Sequence, residues 1–175
     1  MALVSARFIS MLLTALAAGV VLGHVMSRPG KIALPGPLFI TVQNTLYRNW
    51  GKWVGAVETG AFLSTLVVTF LCRGRGVIFA LSLAGLLCLA GMLLVWAVFI
   101  NPINLRVRAS TSESVPADWA SLRDRWHRLH AIRAIFAIAG LGVLISAVLL
   151  DCSRQSEKNP LRVATRTSGS AMASL

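Results

Sequence analysis

The chain has 175 residues, 56% of them hydrophobic and only 13% charged, with a mean hydropathy of +0.73. That composition describes a small integral membrane protein and excludes a water-soluble globular domain or a disordered polyelectrolyte. The net charge of +11 is spread through loops and the C-terminal tail with no nucleic-acid module around it, so the expected partners are membrane lipids with anionic headgroups, and no nucleic acid.

A membrane-spanning helix needs roughly 20 apolar residues, and four segments meet that length, at about 8–26, 53–72, 77–100 and 131–150. Nothing alternates with a period of two over barrel-length strands. Because backbone polar groups in lipid must be satisfied internally, the expected fold is an all-α membrane protein, a four-transmembrane-helix up-down bundle. The expected domain runs over 1–152, followed at 153–175 by a basic, cytoplasmic and disordered tail rich in Ser, Thr, Arg and Ala.

In chain order, Arg7 followed by the apolar run Phe8 to Val21 has the form of a signal peptide, with Ala15-Leu16-Ala17 as a possible cleavage site. The apolar run continues to Met26, however, which favours an uncleaved first span. Ala15, Gly19 and Gly23 recur every four residues, the small-residue stripe through which membrane helices pack closely. The loop that follows has Pro29, Gly30, Pro35, Gly36 and Pro37 as turn makers. After them, Phe39, Val42, Leu46 and Trp50 share one face of a short helix, expected to lie along the interface or cover the bundle end. Tyr47, Trp50 and Trp53 are read as headgroup-level aromatics.

Glu58 is the one acidic residue of the second apolar segment. An ionisable group in the hydrocarbon region costs at least a few kcal/mol unless it is paired, so it marks a functional site by default. The short Arg73-Gly74-Arg75-Gly76 turn makes the second and third helices antiparallel neighbours. Asn101-Pro102-Ile103-Asn104 reads as the stop of the third helix. Pro116 then falls at an early position of the fourth, with Asp118 in its first turn. From Pro116 to Leu150 the helix would run roughly 52 Å at 1.5 Å per residue, so several turns protrude beyond the hydrocarbon core. Arg123, Trp126, His130 and Arg133 form a stripe there, while Arg125, His127 and Arg128 point elsewhere and are expected at the surface. Cys72, Cys88 and Cys152 show no C-x-x-C spacing and no disulfide framework and are read as apolar packing residues or free thiols.

An up-down bundle brings His24, Glu58, Asn101, Asn104, His130 and Arg133 to one end. Glu58 forms the floor, paired with Arg133 or Arg123, and the histidines and arginine form the walls. The basic residues lie on both sides of the membrane, so charge alone does not fix the orientation. Both termini are expected in the cytoplasm because several loop charges belong to the polar constellation.

Three blocks carry a family resemblance: Gly23-His24 with Pro29, Lys31, Val42-Gln43 and Leu46-Tyr47-Arg48; the Asn101-to-Asn104 segment; and Trp119, Leu122-Arg123, Arg125-Trp126, His130 and Arg133. Through them the chain resembles the bacterial branch of the anthrone oxygenase-like family of small four-helix membrane proteins, long catalogued as a domain of unknown function. Ser27 and the residue before His127 stand where relatives often carry acidic residues, leaving Glu58 to serve instead. The resemblance implies oxidation of phenolic or anthrone-like substrates by dioxygen with no dedicated cofactor, in a bacterial inner membrane. On that reading His24 or His130 is the base, Glu58 and Arg133 complete the catalytic group, and Asn101, Asn104, Arg123 and Trp126 bind the substrate. Two alternatives stand beside it. One is a non-catalytic protein that binds a lipid or a quinone-like molecule; the other is a metal- or haem-binding bundle using His24, His130 and Glu58. The oligomeric state is left open.

Overall fold

The computed structural model describes residues 1–157. It contains seven α-helices among these residues: α1 (Ala2–Met26), α2 (Arg28–Ile32), α3 (Gly36–Leu46), α4 (Trp50–Leu71), α5 (Val77–Val95), α6 (Asn101–Arg108) and α7 (Trp119–Glu157). Four helical stretches are long and apolar enough to cross a membrane: Ala2–Met26, Trp50–Leu71, Val77–Arg108 and Trp119–Glu157. The chain is an integral membrane protein with a four-helix transmembrane bundle. α1 packs between α4 and α7, and α5 closes the ring between the same two helices. The tail expected from residue 153 begins as helix through Glu157, and the remainder of that expectation lies outside the described residues.

The reversal between α4 and α5 depends on glycine. Gly74 and Gly76 have φ of 77° and 54°, backbone that side chains rarely adopt, so the Arg-Gly-Arg-Gly segment turns the chain back within five residues. At the other end of α4, Asn49 takes φ 65°, and asparagine is among the few non-glycine residues that tolerate this conformation.

Helix three does not stop at Asn101-Pro102, contrary to the sequence expectation. A π-helical turn, Trp96–Ile100, joins α5 to α6, and the Asn101 N–H donates to the Trp96 carbonyl five residues back. Pro102 lacks an N–H and disfavours an ordinary helical register. The π turn offsets the register there, and Pro102 occupies the first turn of α6. At α7 the expectation errs the other way. Pro116 and Asp118 precede the helix, which starts at Trp119, and the Trp119 N–H donates to the Pro116 carbonyl. Asp118 is engaged by both terminal nitrogens of Arg106, at 2.9 and 3.0 Å.

α3 covers the end of the bundle. Its Phe39 and Ile40 are buried against Ile100, Ile103, Leu122 and Trp126. The Asn44 amide donates to the carbonyls of Val107 and Ser110 at 3.2 and 3.0 Å, satisfying acceptors left free at the end of α6. The small-residue stripe of α1 is not a packing face: Ala15, Gly19 and Gly23 are exposed, and no heavy atom would meet a Cβ within 4 Å at either glycine. Spacing identified a stripe but not the direction it faces. The close approach is made by α5 and α7, where a Cβ on Gly85 would come within 2.8 Å of Leu144 and one on Gly140 within 3.2 Å of Cys88.

The opposite end of the bundle is tied by charge. Asp151 accepts from Arg7 at 2.8 Å and from Arg75 at 3.1 Å, joining α1, the α4–α5 turn and α7. Between the two ends, Ser10 and Thr65 hydrogen-bond across α1 and α4 at 2.7 Å in a buried position.

Candidate functional site

At the covered end, α1, α4, α6 and α7 enclose a cavity of about 700 Å³ together with the α3–α4 connection. Its wall includes His24, Gln43, Tyr47, Trp50, Glu58, Trp96, Asn101, Asn104, Trp126, His130 and Arg133. Its exposed lining residues, Arg48, Asn49, Trp50, Gly51, Lys52, Arg108 and Thr111, form the mouth.

The geometry follows from helix register. His24 is in the last turn of α1, Glu58 is two turns into α4, and Trp126, His130 and Arg133 lie along one face of α7. The His24 and His130 rings are 4.3 Å apart between centroids, and Trp126 packs on both, 5.0 Å from His24 and 4.1 Å from His130. Tyr47 and Trp50 close on His24 from the other side, at 5.3 and 5.7 Å. The Trp126 Nε1–H donates to Asn104 Oδ1 at 2.9 Å, which fixes the amide and leaves Asn104 Nδ2 as a free donor. His130 Nδ1 is buried with no protein partner.

Below the rings, Arg133 Nη2 donates to Glu58 Oε1 at 2.5 Å, and Arg133 Nε donates to the Met92 carbonyl at 3.2 Å. Both side chains are about 2% exposed. The pair joins α4, α5 and α7 beneath the cavity, and Arg133, rather than Arg123, is the partner of Glu58.

Seven of the eight residues singled out in the sequence line this cavity: His24, Glu58, Asn101, Asn104, Trp126, His130 and Arg133. Arg123 does not. It donates to the Ile32 carbonyl at 2.9 Å and to Asp124 at 3.0 Å, so it closes the end of α2 against α7. His127 is a correction of another kind, since it is buried rather than at the surface, with neither ring nitrogen hydrogen-bonded. α2 and α3 cover the α7 face that a helix read alone assigns to solvent. Of the three aromatics read as headgroup-level, Tyr47 and Trp50 line the cavity, Trp50 with 41% of its surface exposed, whereas Trp53 is 76% exposed and outside it.

Lys31 has the least obvious position. It is only 6% exposed, its Nζ has no hydrogen-bond partner, and it lies 4.3 Å from the Tyr47 ring centre and 5.0 Å from that of Trp126. Burial lowers its pKa to about 8. Burial also raises the Tyr47 pKa, opposed by a hydrogen bond from Ser27. Neither residue was singled out as a site residue, because a lysine among prolines in a loop looks solvated until α2 folds onto α7. Among the described residues, no three His, Cys, Asp or Glu side chains gather as a metal-binding group.

Fold and site together define a membrane four-helix bundle with a histidine-containing, aromatic-walled cavity at one end. The chain belongs to the anthrone oxygenase family, whose model matches residues 45–143, from the end of α3 into the membrane-spanning part of α7. That span includes Glu58, Asn101, Asn104, Trp126, His130 and Arg133 but not His24. Neither the curated proteins nor the solved structures include a match.

Proposed function

We propose that the cavity is the site of a cofactor-independent oxidation in which dioxygen attacks a phenolic, anthrone-like substrate. The observation that carries this reading is the His24–His130 pair, 4.3 Å apart and packed against Trp126, in a cavity large enough for a fused-ring ligand. One imidazole, neutral near physiological pH, takes a proton from the activated methylene carbon of the substrate. The resulting carbanion, delocalised as an enolate, passes its electrons to dioxygen and a C–O bond forms, giving a hydroperoxide. Loss of the second proton from that carbon and cleavage of the O–O bond release water. The CH₂ thus becomes C=O, one oxygen atom staying in the product and the other leaving as water.

The supporting residues have separate tasks. Asn104 Nδ2, set free by the Trp126 contact, and Asn101 donate to the enolate oxygen. Glu58 and Arg133 hold α4, α5 and α7 in place beneath the ring. Trp50, Trp96 and Trp126 supply flat apolar walls. The protein acts in a bacterial inner membrane with both termini in the cytoplasm.

The test is oxygen uptake by the purified protein in membranes, over a panel of anthrones and hydroquinone-like phenols. His24→Ala and His130→Ala, compared at equal folded protein, should lower turnover by about 10² to 10⁴, the usual contribution of a positioned base. Arg128→Ala is the control, because Arg128 is exposed and outside the cavity. Buried His127 does not suit that purpose. Absence of uptake above protein-free membranes across the panel would reject the oxygenase reading and leave a non-catalytic ligand-binding protein.

A further inference from the structure

The cavity is unbalanced in charge. Four cations line it, Arg48, Lys52, Arg108 and Arg133, against one carboxylate, Glu58, which Arg133 already engages. Among the described residues none of the other three forms an ion pair with a carboxylate. Glu113, close in sequence to the mouth residue Thr111, neither lines the cavity nor forms an ion pair. The three cations come from separate places, the α3–α4 connection, the first turn of α4 and the last turn of α6. The Arg108 guanidinium nevertheless folds over α4, its Nη2 3.8 Å from where a Cβ on Gly51 would stand.

The α4 terminus adds to the same field. It is the start of a 22-residue helix with no acidic residue in its first turn and no side-chain cap from Asn49, so its positive end is uncompensated at the mouth. Deeper in, the wall turns aromatic, with the buried His24, Trp126 and His130. A cationic rim over an aromatic interior matches a ligand that is amphiphilic in the opposite sense.

We propose that the ligand of this cavity is an anionic amphiphile, whose permanent anionic group, a carboxylate or phosphate, is held by Arg48, Lys52 and Arg108 while its apolar ring body lies against the wall formed by His24, Trp126 and His130. The inference rests on reading the cavity as an aromatic-ligand site and adds the charge that the ligand must carry. The anionic group belongs either to a free aromatic acid or to a lipid headgroup reaching in from the interface.

The full-length protein in nanodiscs of neutral phosphatidylcholine would be titrated with anthracene-9-carboxylate and with its uncharged counterpart 9-anthracenemethanol, read as saturable quenching of tryptophan fluorescence. At low salt the carboxylate should bind about tenfold more tightly than the alcohol, a preference on the scale of a few exposed ion pairs. Raising salt to about 0.5 M should shrink that preference, since exposed charges are then screened within a few ångströms. The triple variant Arg48→Gln, Lys52→Gln, Arg108→Gln should bring the two probes to the same affinity. Arg125→Gln with Arg128→Gln, exposed cations of α7 outside the cavity, should leave the preference intact.

Saturable displacement of the carboxylate by added phosphatidylglycerol, lost in the triple variant, would assign the anionic group to a lipid headgroup. Displacement by soluble aromatic acids but not by that lipid would assign it to a free acid. Equal affinity for both probes in the wild type, or a preference surviving the triple substitution, would overturn the charge requirement alone. Saturable binding of neither probe would overturn the aromatic-site reading with it.

Discussion

Glu58 and Arg133 are each buried to about 2% exposure at a depth where an isolated charge is costly, and each is the other's only ionic partner among the described residues. Removing one strands the other, a loss of about 3 to 5 kcal/mol for a buried pair. Glu58→Gln should therefore lower the detergent melting temperature strongly, and Glu58→Gln combined with Arg133→Met should recover part of it. Strictly additive losses would show that the two side chains are energetically independent. Lys31 gives a prediction in pH. Its amine titrates at about 8 in the folded protein against an ordinary value of 10.5. Between those values the unfolded chain binds more protons than the folded one, so this residue's contribution to stability rises with pH across that window. Below pH 8 the charged amine is penalised in full, and above about 10.5 the penalty is gone. The melting temperature of the wild type minus that of Lys31→Met should be level up to pH 8 and climb from there to pH 10.5. A level difference over the whole range would mean that the amine titrates alike in the folded and unfolded chains, as a solvated amine does. Glu58 was legible in the sequence because charge inside an apolar segment is conspicuous. Lys31 was not, because its burial is created by residues far away in the chain.

At the scale of helices, the contact between α5 and α7 depends on glycine more than that between α1 and its neighbours. Leu144 fills the space that a Gly85 side chain would need, whereas Gly19 faces open surroundings. Gly85→Leu should destabilise by about 1 to 3 kcal/mol, the usual cost of overpacking, and Gly19→Leu should leave the melting temperature nearly unchanged. Equal effects would mean that α1 uses its small-residue stripe in the folded state after all. Four-residue spacing of glycines was visible in the sequence, but rotation about the helix axis was not. Likewise Pro102 suggested a helix stop, and only the π turn at Trp96–Ile100 shows how the chain absorbs it and carries Asn101 and Asn104 to the cavity. Helix-breaking chemistry is local, whereas its accommodation depends on what packs around it.

For the whole molecule, the bundle places α2, α3 and the 109–118 connection at one end, with the Arg73–Gly76 turn and the end of α7 at the other. Thr41→Cys and Ser112→Cys should label from one side of the membrane and the native Cys152 from the other, all three positions being exposed. Thr41 and Cys152 reporting the same side would rule out this topology. Which of the two sides is cytoplasmic follows from the same labelling in intact cells.

The sequence by itself determined the membrane class, four spans, the antiparallel turn and seven of the residues that meet at one end, because hydrophobic length, glycine turns and buried charge are properties of short segments. It also carried the family, through residues 45–143. The tertiary structure alone decided that Arg133 pairs with Glu58, that Arg123 instead closes α2, that Lys31 and His127 are buried, and that Tyr47 and Trp50 line the cavity. The ion pair depends on the register of α4 against α7 and the rest on α2 and α3 folding over the end of the bundle, and both are set by contacts between residues dozens of positions apart, which no local period or composition records.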